Sequence, residues 1–281
     1  MIRSLFSGAS GMKNHQIRMD VIGNNVANVN TTGFKGSRAN FQDVLYQTVR
    51  YPSAGENNVG GINPSQVGLG VMVSSITNNT GQGGLQNTGR SLDLAVNGNG
   101  WFVLSTNGDS VDGTGLTNER YTREGIFYID NVGNLVNSSG YNLCDTSGAP
   151  IKIDASASGV ATINISKDGY ISYTLLDGTK NDNAFQIGLA MFPNQDGLER
   201  EGLNIYKISP TSGVVVPGGN PYGEPNAGGY GEIDSGFLEM SNVDLTDEFV
   251  SMITTQRGYQ ANARTVTTSD QILEELLNIK R

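Results

Sequence analysis

The sequence predicts an α+β protein with a long helix at each end of the chain and a mainly β region between them. Two observations predict this fold class. Apolar residues recur at heptad spacing in the first thirty residues and again in the last forty. Between these segments, short apolar runs alternate with Gly- and Asn-rich turns, which is typical of strands and hairpins. Since no other helical pattern occurs, the simplest burial pairs the two terminal helices as in a coiled coil.

The N-terminal helix is predicted from one apolar seam. The seam positions are Leu5, Met12, Met19 and Val26, interleaved with Gly8, His15, Ile22 and Val29. We expect the helix to weaken at Gly23-Asn24-Asn25 and to end before Thr31-Thr32-Gly33, where glycine permits a left-handed turn. At its seam position, His15 is expected to be a packing residue.

The C-terminal helix repeats the pattern more regularly. Its stripe contains Phe249, Met252, Gln256, Tyr259, Ala263, Val266, Asp270, Leu273 and Leu277, and its second flank contains Ile253, Ile272, Leu276 and Ile279. Either Ser241 or Asp244 can cap its start, and Lys280 and Arg281 suit its end. From Asp244 to Arg281 the helix would be about 57 Å long. Its outer flank is expected to contact other subunits.

The middle of the chain contains three strand signals. One is the apolar run Trp101–Leu104, which follows a Gly-rich turn. The other two are hairpins, which join 126–129 to 134–136 and 163–165 to 170–175. By contrast, residues 51–70 and 209–236 are rich in Gly, Asn and Pro and are predicted to be long extended connectors.

Composition excludes several classes of function. A net charge of −9 argues against nucleic acid or an anionic membrane as a partner held by a basic field. The chain has one His and one Cys, so a Cys/His zinc cluster and an intrachain disulfide are excluded. No complete phosphate-binding or calcium-loop motif occurs. We therefore predict no catalytic residue, metal or cofactor, and expect Cys144 to be a tolerated small residue.

Two other classes of function remain as alternatives. A glycan-binding β protein would explain the Asn- and Gly-rich turns and aromatic residues such as Tyr222 and Tyr230, which would then be exposed. A glycosidase could use paired carboxylates without any His. Neither class explains the terminal heptads. No apolar run follows Leu5-Phe6, so the sequence predicts neither a secretory signal nor a membrane span, and these rules alone indicate the cytoplasm.

Four motifs spread over nearly the whole chain resemble those of bacterial flagellar rod and hook proteins. They are Asp20-Val21-Ile22-Gly23-Asn24-Asn25-Val26-Ala27-Asn28-Val29-Asn30-Thr31-Thr32-Gly33-Phe34-Lys35 near the start, residues 93–102 and 121–127 in the middle, and Ser241–Leu245 with Met252–Asn262 near the end. The resemblance implies a structural subunit that is not an enzyme and that assembles with itself into a helical tube.

Within this family the resemblance leaves two subunits open. Residues 67–71, 87–94 and 264–273 are similar to short forms of the hook protein, whose tube is a flexible joint between rod and filament. Longer hook proteins carry outer β domains that this chain has no residues for, and Tyr46–Pro52 resembles the distal rod protein, a rigid drive shaft. The hook is the first expectation, and the distal rod is the alternative.

The resemblance also implies partners, a location and a layered organisation. The partners are further copies of the chain, the rod, hook-cap and hook-filament junction proteins, and the flagellar export apparatus. The chain would leave the cell through that apparatus without a cleaved signal and reside in the hook or basal body. Residues 1–30 and 242–281 would line the channel, 31–75 and 230–241 would connect, and 76–229 would form the outer β domain.

Two sets of residues are the candidates for function. The expected assembly core is Leu5, Met12, Met19, Ile22, Val26, Phe249, Met252, Ile253, Tyr259, Val266, Leu273 and Leu277. The family-motif residues are Asn24, Asn25, Asn28, Gly33, Phe34, Ser241, Asn242, Gln256 and Arg257.

Overall fold

The computed structural model describes residues 2–55, 60–106, 119–153, 160–213 and 222–279. Within these ranges the chain forms two long helices and nineteen strands, and the strands pair antiparallel. The predicted α+β class is therefore confirmed. The chain divides into two compact units. We call residues 1–27, 37–78 and 244–281 the helical unit, and residues 28–36 and 79–243 the β unit.

The helical unit contains α1 (Ile2–Ala27) and α2 (Leu245–Ile279), which pack against each other. Asp244 caps α2: its Oδ1 accepts the backbone N–H groups of Thr246 at 2.8 Å and Asp247 at 3.3 Å. The predicted cap at Asp244 is confirmed. The last two residues, 280 and 281, lie outside the described part of the chain.

α1 does not weaken at Gly23-Asn24-Asn25, contrary to expectation, and runs on to Ala27. The reason lies in Asn25. Its side chain is buried and hydrogen-bonded at both ends, so it does not compete for the helix backbone as an exposed Asn would.

Two antiparallel ribbons complete the helical unit. β1 (Ser37–Asp43) pairs with β4 (Val71–Asn78), with a bulge at Asn40/Phe41, and α1 packs against both strands. The second ribbon pairs β2 (Tyr46–Arg50) with β3 (Ser65–Gly68), and a bridge between Ser53 and Ile62 extends it.

The expectation that 51–70 is an extended connector is therefore wrong for β3. The backbone groups of 65–68 find partners only when Tyr46–Arg50 runs alongside. The Gly- and Asn-rich composition of the segment hides this pairing, because the partner strand lies outside it. Residues 56–59 of this predicted connector lie outside the described part of the chain.

The β unit is built around one sheet of eight strands. Its path runs Glu199–Gly202 (β16), Ile205–Lys207 (β17), Glu119–Thr122 (β8), Trp101–Ser105 (β7), Asn142–Leu143 (β11), Leu135–Asn137 (β10) and Phe127–Ile129 (β9), and Leu189–Ala190 (β15) also pairs with β7. The other groups are Val160–Ile165, Tyr170–Leu175 and Lys180–Gln186 (β12, β13 and β14), Leu94–Asn97 with Glu232–Ser235 (β6 and β18), and Leu85–Asn87 with Phe237–Glu239 (β5 and β19).

β7 lies at the centre of the β unit because its two faces belong to two apolar clusters. Phe102 and Leu104 pack into one cluster, and Trp101 and Val103 into the other. All four side chains are fully buried, which explains why this strand is a continuous apolar run instead of an alternating one.

The strand predictions at 101–104, 126–129, 134–136, 163–165 and 170–175 are confirmed to within a few residues. The prediction that 209–236 is a connector is wrong at its end, where β18 pairs with β6 across a long sequence separation. Residues 214–221 of that segment lie outside the described part of the chain.

Candidate functional site

α1 and α2 pair in a regular antiparallel register. Ser4 Oγ lies 3.3 Å from Ser269 Oγ near one end, and Asn25 Nδ2 donates to Glu248 Oε1 at 2.9 Å near the other. Twenty-one residues separate the contacts on each helix, so neither helix slips against its partner. The register also places the last turns of α2, from about Leu273 onward, beyond Ile2, the first described residue of α1.

Small residues bring the two helix backbones close together. A Cβ added at Gly8 would lie 2.8 Å from Thr265 Oγ1, and one at Gly258 would lie 2.7 Å from His15 Cε1. Both distances are shorter than real Cβ contacts. Gly8 and Gly258 therefore serve close packing, which offsets their low helix propensity.

The structure divides the predicted assembly-core residues into two groups. Eight lie wholly or partly buried: Leu5, Met12, Met19, Ile22, Val26, Met252, Val266 and Leu273. The other four are exposed: Phe249 (47%), Ile253 (57%), Tyr259 (39%) and Leu277 (70%). The first group covers α1 and much of α2, and the second lies on α2 only.

The exposed group belongs to a larger apolar surface on α2. Its first part, which we call the outer face, comprises Leu245, Phe249, Val250, Ile253 and Tyr259, and the last turns of α2 add Ile272, Leu276, Leu277 and Ile279. Exposed apolar surface of this extent on one helix is typical of an interaction site.

A second exposed apolar surface lies on the ribbon of β2 and β3. It comprises Val44, Leu45, Tyr46, Val49, Tyr51, Ile62, Val67 and Leu69. A two-stranded ribbon is marginal without further packing, and this ribbon leaves its large side chains in solvent. Analysis of the sequence did not find this surface, because the segment was predicted to be a connector.

His15 is a packing residue, as expected. Its ring lies against Gly258 and meets the Phe41 ring edge-on, with the two centroids 5.8 Å apart. Partial burial and, secondarily, the nearby Arg18 guanidinium lower the pKa of His15 below its usual 6.5. Its neutral form therefore fits the helix pair best.

The motif asparagines take different roles. Asn25 is buried and donates to the Ser37 carbonyl oxygen at 2.8 Å, while its Oδ1 accepts the Ser37 N–H at 3.0 Å. Asn28 caps the turn after α1, where its Oδ1 accepts the Thr31 hydroxyl at 3.1 Å. Asn24 is exposed on α1. The family motif thus combines helix attachment with turn formation.

Gly33 and Phe34 pack the segment of residues 28–36 against the rest of the β unit. Gly33 has φ +67°, and its N–H donates to the Glu239 carbonyl oxygen at 2.8 Å. A Cβ at this position would lie 2.6 Å from the Glu124 backbone nitrogen, so only glycine fits. Phe34 is buried, with the Arg200 guanidinium 5.3 Å from its ring centroid.

Next to Gly33 and Phe34 lies a group of buried charged side chains. Lys35 Nζ donates to Glu239 Oε1 at 2.5 Å, and Arg123 Nη1 lies 3.3 Å from Glu239 Oε2. Lys35 also donates to the Gly81 carbonyl oxygen at 2.9 Å, and the Gly83 N–H donates to Glu239 Oε1 at 2.9 Å. All three charged side chains are buried, so Glu239 neutralises one of the two cations and hydrogen bonds compensate the rest.

Burial dominates the electrostatics of this group. It lowers the pKa of Lys35 from the usual 10.5, and Glu239 opposes that shift. Burial likewise lowers the pKa of Arg123, again opposed by Glu239. The carboxylate therefore offsets part of the cost of burying these two cations.

Asn242 joins three backbone segments next to these charges. Its Oδ1 accepts the Gly36 N–H at 2.8 Å, and its Nδ2 donates to the carbonyl oxygens of Asn79 at 2.7 Å and Gly81 at 2.9 Å. Ser241 Oγ accepts the Val243 N–H at 3.3 Å in the turn before α2. We call Lys35, Arg123, Glu239 and Asn242 the root cluster.

The remaining motif residues, Gln256 and Arg257, are exposed on α2, where Arg257 donates to Gln260 Oε1 at 3.3 Å. Sequence reasoning missed Lys35, Arg123 and Glu239 as site residues. The available signal was a charged residue within or beside an apolar run, as at Phe34-Lys35 and Leu238-Glu239; an isolated position of this kind does not reveal its partner.

Three further side chains that the sequence singled out lie in the interior of the β unit. Tyr222 and Tyr230 are buried, not exposed, because both pack into the β core. Cys144 is buried in the same apolar cluster as Trp101.

Within the described ranges, no group of three His, Cys, Asp or Glu side chains is placed to hold a metal ion. None of the helices in the described part of the chain is long and apolar enough to cross a membrane.

Three family models match the chain. Residues 5–35 match the flagella basal body rod protein family, residues 95–173 match the D1 domain of flagellar hook protein FlgE/F/G, and residues 234–279 match the C-terminal region of flagellar basal body rod FlgEFG proteins. The matched segments include α1, the centre of the β unit and α2.

Full-length relatives agree with these matches. The flagellar basal-body rod protein FlgG of Bacillus subtilis is 47% identical over 281 residues, covering 100% of both chains. FlgG of Agrobacterium fabrum is 36% identical over 273 residues, covering 96% of this chain and 97% of the relative. The flagellar hook protein FlgE of Treponema pallidum is 28% identical over an alignment of 477 positions, covering 100% of both chains.

Proposed function

The chain belongs to the bacterial flagellar rod and hook family, and we propose that within this family it is a subunit of the distal rod. Members of the family are structural components of the flagellum and not enzymes. They assemble with copies of themselves and with other flagellar components. Which segment of the flagellum this chain builds is the proposal.

One observation carries the choice of rod over hook. Relatives named as rod proteins match the chain from end to end at nearly equal length, as the alignment over 281 residues shows. The hook relative aligns over 477 positions, which requires long insertions relative to this chain. The first expectation, a short hook protein, is thus less well supported than the alternative.

The helix pair supports assembly. Each chain buries the seam between α1 and α2 but leaves the outer face of α2 in solvent. The antiparallel register also leaves the last turns of α2, with Leu276 and Leu277, beyond the start of α1. We infer that further copies of the chain cover both surfaces, because burial of this apolar area is a large favourable contribution to association.

The β2/β3 ribbon supports a stiff polymer. Its paired strands resist bending more than a free connector would, and its exposed apolar residues provide contacts for neighbouring subunits. The segment Tyr46–Pro52, which resembles the distal rod protein, forms one edge of this ribbon. A rigid drive shaft needs contacts of this kind, whereas a bending joint needs contacts that slide.

The finer organisation follows as part of the same proposal. Residues 1–30 and 242–281 line the channel, 31–75 and 230–241 connect, and 76–229 form the outer layer. Export occurs through the flagellar export apparatus, and the neighbours are other rod proteins and the hook.

Electron microscopy of basal bodies from cells lacking this protein tests the assignment. A distal rod subunit predicts a shortened rod and no hook, and the intact gene restores both. A complete rod without a hook would contradict the proposal and favour the hook subunit. Normal basal bodies with normal hooks would contradict both.

A further inference from the structure

The root cluster lies where the chain repeatedly leaves and re-enters the β unit. The chain leaves this unit after Gly36, returns at Asn79 and leaves again after Val243 into α2. Gly36 and Asn79 are hydrogen-bonded to each other, since the Asn79 N–H donates to the Gly36 carbonyl oxygen at 2.7 Å. Asn242 contacts both. Asn242 therefore connects three of the four points at which the chain passes from one unit to the other; the fourth lies between Ala27 and Asn28.

The charged residues of the root cluster contact the same segments in the interior of the β unit. Glu239 receives the Gly33 N–H on its backbone oxygen and the Lys35 ammonium on its carboxylate. From the other side of the segment, Arg200 donates to the Lys35 carbonyl oxygen, and Asn204 Nδ2 donates to the Thr32 carbonyl oxygen at 3.1 Å. The contacts of residues 32–36 with Glu239 and Asn242 form only when the C-terminal segment is in place.

We call residues 28–36, which follow α1, and residues 240–243, which precede α2, the two roots; both belong to the β unit. We propose that the root cluster is a staple that holds the two roots next to each other within the β unit, so that the two helices of one chain pair with each other instead of with those of a second copy. Tethering two segments at adjacent points raises their effective concentration. Without the staple, the two helices of one chain have a smaller advantage over those of a neighbouring copy. The inference concerns one chain and does not rest on the rod assignment.

Because of its charges, the staple forms only when the N-terminal and the C-terminal root are both in place. Lys35 and Arg123 are both buried, and Glu239 is the one acidic side chain that contacts either of them among the described residues. Burying residues 32–36 before Glu239 arrives would leave the Lys35 ammonium without a counter-charge, which is unfavourable. The N-terminal root therefore docks together with the C-terminal root.

A disulfide assay tests the staple in the full-length chain. The parent carries Ser4→Cys and Ser269→Cys, whose hydroxyl oxygens lie 3.3 Å apart. Cys144 remains in place because it is buried. In dilute solution we expect the parent to close within the chain, and Glu239→Gln to slow closure about fivefold or more with a matching rise in disulfide-linked dimers.

A matched control and a milder variant accompany this test. Glu232→Gln makes the same chemical change at a carboxylate whose partner, Lys167, is largely exposed, and it should close at the parent rate. Asn242→Ala removes three hydrogen bonds without leaving an unpaired charge. It should slow closure about threefold, and so it tests the staple even if Glu239→Gln does not fold.

Hydrogen exchange on the same proteins separates a local staple from general stability. In Glu239→Gln we expect the amides of Gly33, Gly36 and Asn79 to exchange about tenfold faster or more, while Ile151, whose N–H donates to Leu143 in the β core, stays protected. Equal loss of protection at Ile151 would overturn the proposal, as would closure of Glu239→Gln and Asn242→Ala at the parent rate or a parent that forms mainly dimers.

Discussion

Asn25 on α1 and Glu248 on α2 share a hydrogen bond of 2.9 Å, although they lie 223 residues apart in the sequence. The same Asn25 side chain holds both backbone polar groups of Ser37 at the start of β1. One carboxamide therefore ties α1 to α2 and to the neighbouring ribbon.

Replacing Asn25 with Ala should weaken the helical unit. The change leaves the Ser37 N–H and carbonyl group without their Asn25 partners in a partly buried position, at a cost of about 1–3 kcal/mol. The measurement is the temperature at which isolated basal bodies release the subunit. Gln16→Ala, on the same helix but exposed, is the control; equal release temperatures for both variants would contradict this role of Asn25.

Two glycines in α1 should respond oppositely to the same substitution. Gly23 has nothing within 4 Å of an added Cβ, so Gly23→Ala should stabilise the helix by up to about 1 kcal/mol. At Gly8 the new Cβ would collide with Thr265 and Val266, so Gly8→Ala should reduce the amount of subunit in isolated basal bodies. Both substitutions raise the helix propensity of α1 by the same amount, so the difference between the two variants measures packing alone. If Gly8→Ala assembled as well as Gly23→Ala, the close approach of α1 and α2 would be contradicted.

The outer face of α2 should be needed for assembly but not for the folding of one chain. Ile253→Glu places a charge on a side chain that is 57% exposed, so the isolated chain should unfold at an unchanged urea concentration. Incorporation into basal bodies, scored by immunoblot, should fall about tenfold or more because the charge would be buried against the next copy. The control is Gln260→Glu, an equally acidic change at an exposed polar position; normal incorporation of Ile253→Glu would contradict the outer face as a contact.

Alkaline pH should destabilise the β unit through Cys144. Burial raises the pKa of its thiol from 9.0 to about 12. The folded state therefore holds the proton more tightly, and this contribution to stability is present below pH 9 and lost as the pH rises toward 12. Urea unfolding at pH 8 and pH 11 should show a smaller fall in the free energy of unfolding for Cys144→Ala than for the parent. Burial also raises the pKa of Tyr121 and Tyr222, so part of the fall should remain.

The isolated chain should lose its terminal segments to protease first. Helices that contain glycine and leave an apolar face in solvent need packing to stay ordered. Limited proteolysis should cut within 1–27 and 244–279 and leave the β unit intact, whereas the assembled polymer should resist at the same sites. Resistance of both termini in the monomer would contradict the dependence on assembly.

The sequence by itself determined the local structure and the family. Heptad spacing predicted α1 and α2 because the periodicity of a helix is written in consecutive residues, and strands such as β7 and the hairpin of β9 and β10 were predicted from apolar runs and turn glycines. For the cap of α2 the sequence left Ser241 and Asp244 open, and the structure selects Asp244.

The tertiary structure decided what each side chain meets. β3 pairs with β2 across a Gly-rich segment, and β18 pairs with β6 from a distant part of the chain, so local composition could not reveal either pairing. Tyr222 was predicted to be exposed and is buried because the β core closes over it.

The root cluster shows the same division most clearly. Lys35 and Glu239 are 204 residues apart, and each alone has the residue type of a solvated surface charge. Only the fold brings them together, excludes water from both and makes their attraction matter. The sequence therefore determines which elements form, while the partner of a buried charge depends on long-range packing that no local pattern records.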